Sequence, residues 1–140
     1  MSEKKFTIKL DALTDNLPKV LEFVDGILEE AGCSMKSQMQ IDISVEEIFV
    51  NIANYAYNPK TGEAEVSVEL GEDDAEVTVV LKDSGMPYNP LEKEDPDITL
   101  SAEERGIGGL GIFMTKKSMD DVIYEHKDGF NILKLKKKLK

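Results

Sequence analysis

The sequence has few of the residues on which several common types of site depend. Its 140 residues include one cysteine, one histidine and no tryptophan, and Arg105 is the only arginine. A single cysteine excludes an internal disulfide, and a single histidine argues against a zinc site or a Ser-His-Asp triad. No run of about 18 apolar residues is present, so no membrane span is predicted. The charged, alternating segment 1–10 lacks a signal-peptide core, which makes the cytoplasm the expected compartment.

The charge of the chain is strongly one-sided. Lysine and arginine together number 17, against 28 aspartates and glutamates, and the formal net charge is −11 at pH 7. An acidic chain with one arginine is poorly suited to bind a nucleic-acid backbone, so DNA is not an expected partner. The length fits one domain spanning 1–140, and 41% hydrophobic and 32% charged residues are typical of a folded globular chain.

Hydrophobic periodicity predicts eight regular elements. Strand-like alternation occurs at 5–10, 63–70, 77–83, 122–126 and 130–135, and helical spacing occurs at 17–31, from 36 or 37 to about 57, and at 110–118. Asp15 or Asn16 is the predicted N-cap of the first helix, because Leu17 and Pro18 follow. Since hairpins outnumber parallel units, the expected fold is an α+β two-layer sandwich, with a mixed, mostly antiparallel sheet and the helices on one face.

The segment 84–109 shows no periodicity and holds three prolines and four glycines. A stretch of this length without regular structure in a small domain is usually a functional loop, and such loops often close over a ligand. We therefore predict a lid over about residues 84–109.

Three short motifs carry the candidate chemistry. Glu47 and Asn51 are four residues apart in the second predicted helix, so they share one face of it. The sequence Asp83-Ser84-Gly85 ends a predicted strand. The glycine-rich run 106–111, preceded by Arg105, opens the last helix, where backbone N–H groups can approach a phosphate. Taken singly, each motif has an ordinary explanation. The Glu47 and Asn51 pair is equally a polar row on a helix surface, and the Asp83 motif is equally a turn. The glycine-rich run is a weak signal by itself, because it is neither a P-loop nor a Rossmann fingerprint.

Together and in this order, the three motifs resemble the GHKL ATP-binding fold, which includes the catalytic domains of histidine kinases and of gyrase. The sequences DSGMPYNP from Asp83 and GGLGIFMTKKSMDDV from Gly108, with Glu47 and Asn51, are similar to the anti-sigma factor serine kinases of bacterial stress and sporulation pathways. The resemblance covers nearly the whole chain, from the first predicted strand to the last.

The resemblance implies a role for each motif. In this family the asparagine coordinates Mg²⁺, the glutamate four residues before it acts as base, the aspartate of the DxG motif bonds the adenine amino group, and the glycine-rich loop wraps the triphosphate. The implied catalytic residue is Glu47, and the implied metal ligand is Asn51. The implied nucleotide-binding residues are Asn51, Tyr55, Asp83, Gly85, Arg105, Gly106, Gly108, Gly109, Leu110 and Gly111.

Two positions differ from the usual family pattern. The family often has histidine four residues after the motif asparagine, where this chain has Tyr55. It often has arginine just before the last glycines, where this chain has Ile107, and Arg105 lies two residues earlier. From a mobile lid, Arg105 could still reach a γ-phosphate or a partner.

The resemblance implies an ATP-binding anti-sigma regulatory factor that acts as a serine-protein kinase. Its expected cofactors are ATP and Mg²⁺, and its expected partners are a sigma factor and a STAS-type anti-anti-sigma protein, which it phosphorylates. Two alternatives remain open: an ATP-dependent protein-binding switch without phosphotransfer, and a stand-alone histidine-kinase-type catalytic domain. The oligomeric state is also open, with a homodimer as one alternative.

Overall fold

The regular elements that the structure describes form one antiparallel sheet and three helices. A computed structural model describes residues 4–57, 60–92 and 110–139. The strands are β1 (Lys4–Asp11), β2 (Glu63–Leu70), β3 (Glu76–Asp83), β4 (Asp121–Lys127) and β5 (Phe130–Lys138), in the order β1-β2-β3-β5-β4, and all four pairings are antiparallel. The helices are α1 (Leu17–Glu30), α2 (Met35–Asn51) and α3 (Leu110–Ser118). None of the helices in the described residues combines the length and the hydropathy that a membrane crossing requires.

The core lies between the helices and one face of the sheet. In β2 and β3 every second residue points inward, so that Val66, Val68, Val79 and Leu81 are buried while their neighbours face outward. The helices contribute buried side chains at helical spacing, which are Val20, Val24 and Leu28 from α1 and Ile41, Val45, Ile48 and Phe49 from α2. The structure therefore confirms the predicted α+β two-layer fold.

The outer face of the sheet is covered by paired charges of opposite sign. The register places Lys5 opposite Glu69 and Lys9 opposite Glu65 across β1 and β2, with Lys82 of β3 on the other side of Glu65. Opposite charges at directly facing positions of an antiparallel pair stabilise the pairing by a few tenths of a kcal/mol to about 1 kcal/mol. This face is therefore well suited to solvent.

The start of α1 differs from the predicted capping. Asp15 and Asn16 lie in a 3₁₀ turn (Thr14–Asn16) that leads directly into the helix, and neither side chain caps it. Asn16 Nδ2 instead donates to the carbonyl oxygen of Asp11, at 2.8 Å. The prediction of a side-chain N-cap was wrong because the residue before the helix already has near-helical backbone angles, φ −90° and ψ −3°, and its side chain is bonded to the end of β1.

The second helix starts slightly earlier than predicted and ends in a wider turn. Ser34 caps it, because Ser34 Oγ accepts from the backbone N–H of Ser37 at 3.1 Å, and α2 begins at Met35 rather than at 36 or 37. After Asn51 the chain continues as a π-helical segment, Ile52–Ala56, which confirms the predicted helix end near 57. Such segments are frequent at functional sites.

Most of the predicted lid lies outside the described residues. Of residues 84–109, the structure describes 84–92, which end in a short 3₁₀ turn at Pro90–Glu92. The prediction of a lid over the remaining part, 93–109, stays a prediction.

The interface between α1 and α2 brings several acidic side chains together. Asp25 of α1 and Asp42 of α2 each have a buried Oδ1 atom without a hydrogen-bond partner among the described residues. Burial, a side-chain hydrogen bond with Asp25 and the charges of Asp25 and Glu29 raise the pKa of Asp42 to about 8. A proton on Asp42 lets the two carboxyl groups share a hydrogen bond, which two carboxylates cannot do.

We expect the stability of the protein to fall as the pH rises through this range. The folded chain keeps a proton on Asp42 that the unfolded chain releases near its ordinary pKa of 3.8, so stability is lost between about pH 4 and about pH 8. Asn can donate the same hydrogen bond without a charge. After allowance for solvent screening of this partly exposed group, Asp42→Asn should raise the free energy of unfolding at pH 8 by about 1 kcal/mol and change little at pH 4.

Urea unfolding at pH 4, 6 and 8 measures this effect, with Asp121→Asn on the edge strand β4 as the control variant. If the stability difference between Asp42→Asn and the unsubstituted chain is the same at all three pH values, Asp42 is not the group that loses its proton.

Candidate functional site

The structure brings together the two predicted residues of α2. Asn51 Nδ2 donates to Glu47 Oε2 at 3.2 Å, as expected for two polar side chains one helical turn apart. The first turn of α3 approaches the same pair, because a Cβ atom at Gly111 would lie 1.8 Å from Glu47 Oε1. A glycine at this position therefore allows α3 to pack directly against the Glu47 carboxylate.

Asp83 lies at the end of β3, where it is only 5% exposed. Asp83 Oδ1 accepts from the backbone N–H of Gly85 at 2.9 Å and from Asn131 Nδ2 at 3.0 Å. Both of these donors bond the same oxygen. The second oxygen, Oδ2, is thus left to accept a hydrogen bond from a ligand.

Gly85 joins this strand end to the end of α2. A Cβ atom at Gly85 would lie 2.3 Å from the carbonyl oxygen of Ala56, and backbone atoms cannot move aside cheaply. The next residue, Met86, donates its backbone N–H to the same oxygen at 2.8 Å. The glycine of the Asp83-Ser84-Gly85 motif is therefore required by the close approach of the loop to the π-helical segment.

Asn131 is a site residue that the sequence analysis did not find. It is buried, 6% exposed, at the start of β5. Besides Asp83, its Nδ2 bonds the carbonyl oxygen of Met86 at 2.9 Å, while its Oδ1 accepts from Tyr124 Oη and from the backbone N–H of Tyr88. A polar residue at an inward position, two before buried Leu133, was the signal available in the sequence.

Tyr57 is a second residue that the sequence analysis did not find. Its hydroxyl donates to the carbonyl oxygen of Glu63 at 2.6 Å and accepts from the backbone N–H of Ser84 at 2.9 Å. Gly62 packs against its ring, where any Cβ atom would clash. Tyr57 thus fixes the loop after β3 relative to the start of β2.

These contacts surround a mostly apolar pocket between α2 and the sheet. Asp83 and Asn131 supply polar groups to its lining, and Asn51, which bonds Glu47, also lines it. Tyr55 also lines the pocket and is 56% exposed. The aliphatic and proline side chains that line it are Ile48, Ile52, Ala56, Leu81, Met86, Pro90 and Leu133.

The lining fits an adenine ring. Aliphatic side chains can pack against both faces of a flat heterocycle, and a buried carboxylate oxygen can accept from its exocyclic amine. The Asn51 side of the pocket also fits a hard cation held together with phosphate oxygens. Asn51 offers a neutral amide oxygen, and an octahedral Mg²⁺ shell would need further oxygens from phosphate and water.

Most of the remaining predicted residues lie outside the part of the chain that the structure describes. Arg105, Gly106, Gly108 and Gly109 lie outside the described residues, and Leu110 is described only as the first residue of α3. Among the described residues, no group of three or more histidine, cysteine, aspartate or glutamate side chains is placed to hold a metal ion.

Comparison with known proteins identifies the class. The sequence pattern of the histidine kinase-like ATPase domain matches residues 10–137, and the chain therefore belongs to that family. This result confirms the resemblance drawn from the three motifs.

The chain is similar to particular kinases of this family. It is 30% identical over 138 residues to the serine-protein kinase RsbW of Listeria monocytogenes, with 90% of this chain and 87% of that protein covered. It is 24% identical over 135 residues to the serine/threonine-protein kinase BtrW of Bordetella bronchiseptica, with 96% and 94% covered.

A solved structure shares the fold. It is the crystal structure of the RsbU and RsbW domains of a Mycobacterium tuberculosis protein, which aligns with a TM-score of 0.68 over 97% of this chain at 19% identity. This chain spans 32% of that longer chain. At this level of identity the likeness concerns the fold alone.

Proposed function

We propose that this chain is an ATP-dependent serine-protein kinase that acts as an anti-sigma regulatory factor. Its partners in this proposal are a sigma factor and a STAS-type anti-anti-sigma protein, whose serine it phosphorylates, and the whole of 1–140 works as one ATP-binding domain in the cytoplasm. The observation that carries the proposal is the Glu47–Asn51 pair, whose Asn51 lines the same pocket as the Asp83 carboxylate. The similarity to RsbW and BtrW kinases supports it.

The Asp83 end of the pocket supports nucleotide selection. Gly85 and Asn131 both bond Oδ1 and hold the carboxylate in one orientation, so that Oδ2 is available for the adenine amine. An amine donor matches this acceptor, and a carbonyl oxygen at the same ring position would be repelled. This arrangement favours ATP over GTP.

The contact between Asn51 and Glu47 supports the cation role of Asn51. The amide nitrogen donates to Glu47 Oε2, which turns the amide oxygen away from the glutamate. That oxygen is then free to bind Mg²⁺ together with phosphate oxygens. Bound Mg²⁺-ATP supplies the phosphoryl group to be transferred.

The position of the Glu47 carboxylate supports its proposed role as the base in phosphate transfer. Its carboxylate lies one helical turn from the proposed cation ligand, close to where the phosphate chain would end. In this position it can accept the proton of a serine hydroxyl, while Gly111 lets α3 close that side of the carboxylate. The alternative is ATP-dependent partner binding without transfer, and a direct transfer assay separates the two.

The metal-ligand role of Asn51 can be tested by calorimetry. Asn51→Ala removes the amide oxygen, and we expect at least about tenfold weaker Mg²⁺-ATP binding, because a hydrogen-bonded or charge-assisted contact is worth about 1.5 to 3 kcal/mol. The fold should survive, because the side chain is partly exposed and a surface change costs about 0.5 kcal/mol or less.

The matched control for this test is Asn54→Ala, an exposed asparagine three residues further along. It should bind Mg²⁺-ATP as the unsubstituted chain does. Equal affinity of Asn51→Ala and Asn54→Ala would exclude Asn51 as the ligand.

A further inference from the structure

The outer face of α2 carries a row of large apolar side chains that no described residue covers. Met35, Met39 and Ile43 are 84%, 60% and 52% exposed. Their spacing of four places them in one line along the helix surface, over about 12 Å. Single exposed apolar residues are ordinary on a protein surface, whereas a continuous row marks a contact surface. We refer to these three residues as the apolar row.

Acidic side chains lie beside the apolar row. Asp42 and Glu46 are on α2, each three residues after a member of the row. Asp25 and Glu29 approach Asp42 from α1, and Glu29 Oε2 also accepts from Gln38 at 3.1 Å. We refer to Asp25, Glu29 and Glu46 as the acidic border, whereas Asp42, whose raised pKa keeps it protonated, bonds Asp25.

The described residues supply the acidic border with no ion pair. The ion pair found among them is Lys4–Asp74, which joins β1 to the turn after β2. Asp42 shares a hydrogen bond with Asp25, and Lys137 is bonded to the carbonyl oxygen of Ser118. On the outer sheet face, by contrast, glutamates lie directly opposite lysines. Within the described part of the chain, acids are therefore left uncompensated at this apolar surface.

We propose that the apolar row and the acidic border together dock an amphipathic helix of a protein partner that carries lysine or arginine beside its own apolar stripe. A helix presents side chains at the same spacing as the row, and methionine adapts its shape to different apolar partners. Cations on the partner helix would pair with the carboxylates of the border.

The charge of the chain selects this occupant over others. Anionic membranes and nucleic acids are repelled by the border and by the net charge of −11. Two copies of the chain that met at this surface would repel each other, because each has a net charge of −11 and an acidic border there. A basic helix from a different protein gains both apolar contact and charge pairing.

The docking surface is separate from the nucleotide pocket. The row lies on the first half of α2, whereas the pocket is lined by residues from Ile48 onward. From Ile43 to Asn51 the helix rises about 12 Å. A docked helix can therefore leave the pocket open, and this inference does not depend on the proposed kinase activity.

The proposal can be tested by fluorescence anisotropy with two labelled synthetic peptides of about 18 residues, or five helical turns. One peptide has leucine on one helical face and lysine beside it, and the other has glutamate in place of lysine. The lysine peptide should bind the unsubstituted chain in the absence of ATP.

Serine at all three positions of the apolar row should weaken binding about tenfold or more, because the burial of large apolar side chains is lost. Ile123→Ser on the outer sheet face is the matched control and should have no effect.

The charge component has its own pair of variants. Glu29→Gln combined with Glu46→Gln should weaken the lysine peptide several-fold at low salt, whereas Asp121→Asn combined with Glu125→Gln on β4 should not. Thermal unfolding of every variant reports whether it remains folded, as expected for exposed positions.

Three results would overturn the proposal. The first is lysine-peptide binding that the row variant leaves unchanged, and the second is equal binding of the glutamate peptide. The third comes from sedimentation: if the unsubstituted chain is a dimer that the row variant dissociates, the occupant is a second copy and not a basic helix.

Discussion

Glu47→Gln should reduce phosphate transfer to a partner serine by a factor on the order of 10² to 10⁴, with ATP affinity almost unchanged. Gln keeps the size of the side chain and can still bond Asn51, since its amide oxygen replaces the Oε2 that Asn51 Nδ2 contacts at 3.2 Å. It cannot take up the proton of the attacking hydroxyl. The variant therefore separates proton transfer from nucleotide binding.

Single-turnover transfer to a purified STAS-type protein, with radiolabelled ATP, measures this effect. Glu125→Gln on β4 is the control, because it removes an exposed carboxylate on a different element. Transfer by Glu47→Gln at the unsubstituted rate would show that another group accepts the proton. No transfer by the unsubstituted chain to any partner that it binds would favour the switch without phosphotransfer.

Asp83→Asn should weaken ATP binding by about tenfold to a hundredfold and lower the preference for ATP over GTP. Gly85 N–H and Asn131 Nδ2 both donate to the Asp83 oxygen that faces them. In the variant, the new amide would direct its carbonyl oxygen to these donors and its NH₂ group into the pocket. That donor opposes the adenine amine, but it matches the carbonyl oxygen that guanine carries at the same ring position.

Calorimetric titration with ATP and GTP checks the second prediction, with Ser84→Ala as the control. Ser84 is in the same motif but is exposed, and its side chain contacts Tyr57 rather than the pocket. If folded Asp83→Asn keeps the affinity and the preference of the unsubstituted chain, Asp83 is a structural residue of the turn.

Local contacts could be predicted where the pattern lies within one element. The i, i+4 spacing of Glu47 and Asn51 was sufficient to place them side by side, and the structure shows the hydrogen bond between them. The alternation of β2 and β3 likewise predicted their buried apolar residues, although Ser67 on the other face is buried as well. The capping of α1 could not be predicted in this way, because Asn16 bonds Asp11 in the preceding strand.

Contacts between distant elements could not be predicted from spacing. Asn131 reaches Asp83 across 48 residues of sequence because β5 pairs with β3, and nothing in the β5 pattern indicates its partner. The contact of Gly111 with Glu47 depends in the same way on where α3 packs. The contact of Asp42 with Asp25, which raises the pKa of Asp42, also forms only when α1 and α2 pack together.

The sequence by itself determined the elements, their inward faces and the order of the three motifs, because each of these follows from the periodicity of a single helix or strand. The tertiary structure decided which oxygen of Asp83 the chain itself bonds, why residue 85 is glycine, and that Asp42 has a raised pKa. These properties depend on burial and on atoms supplied by other elements, and both exist only after the helices pack on the sheet.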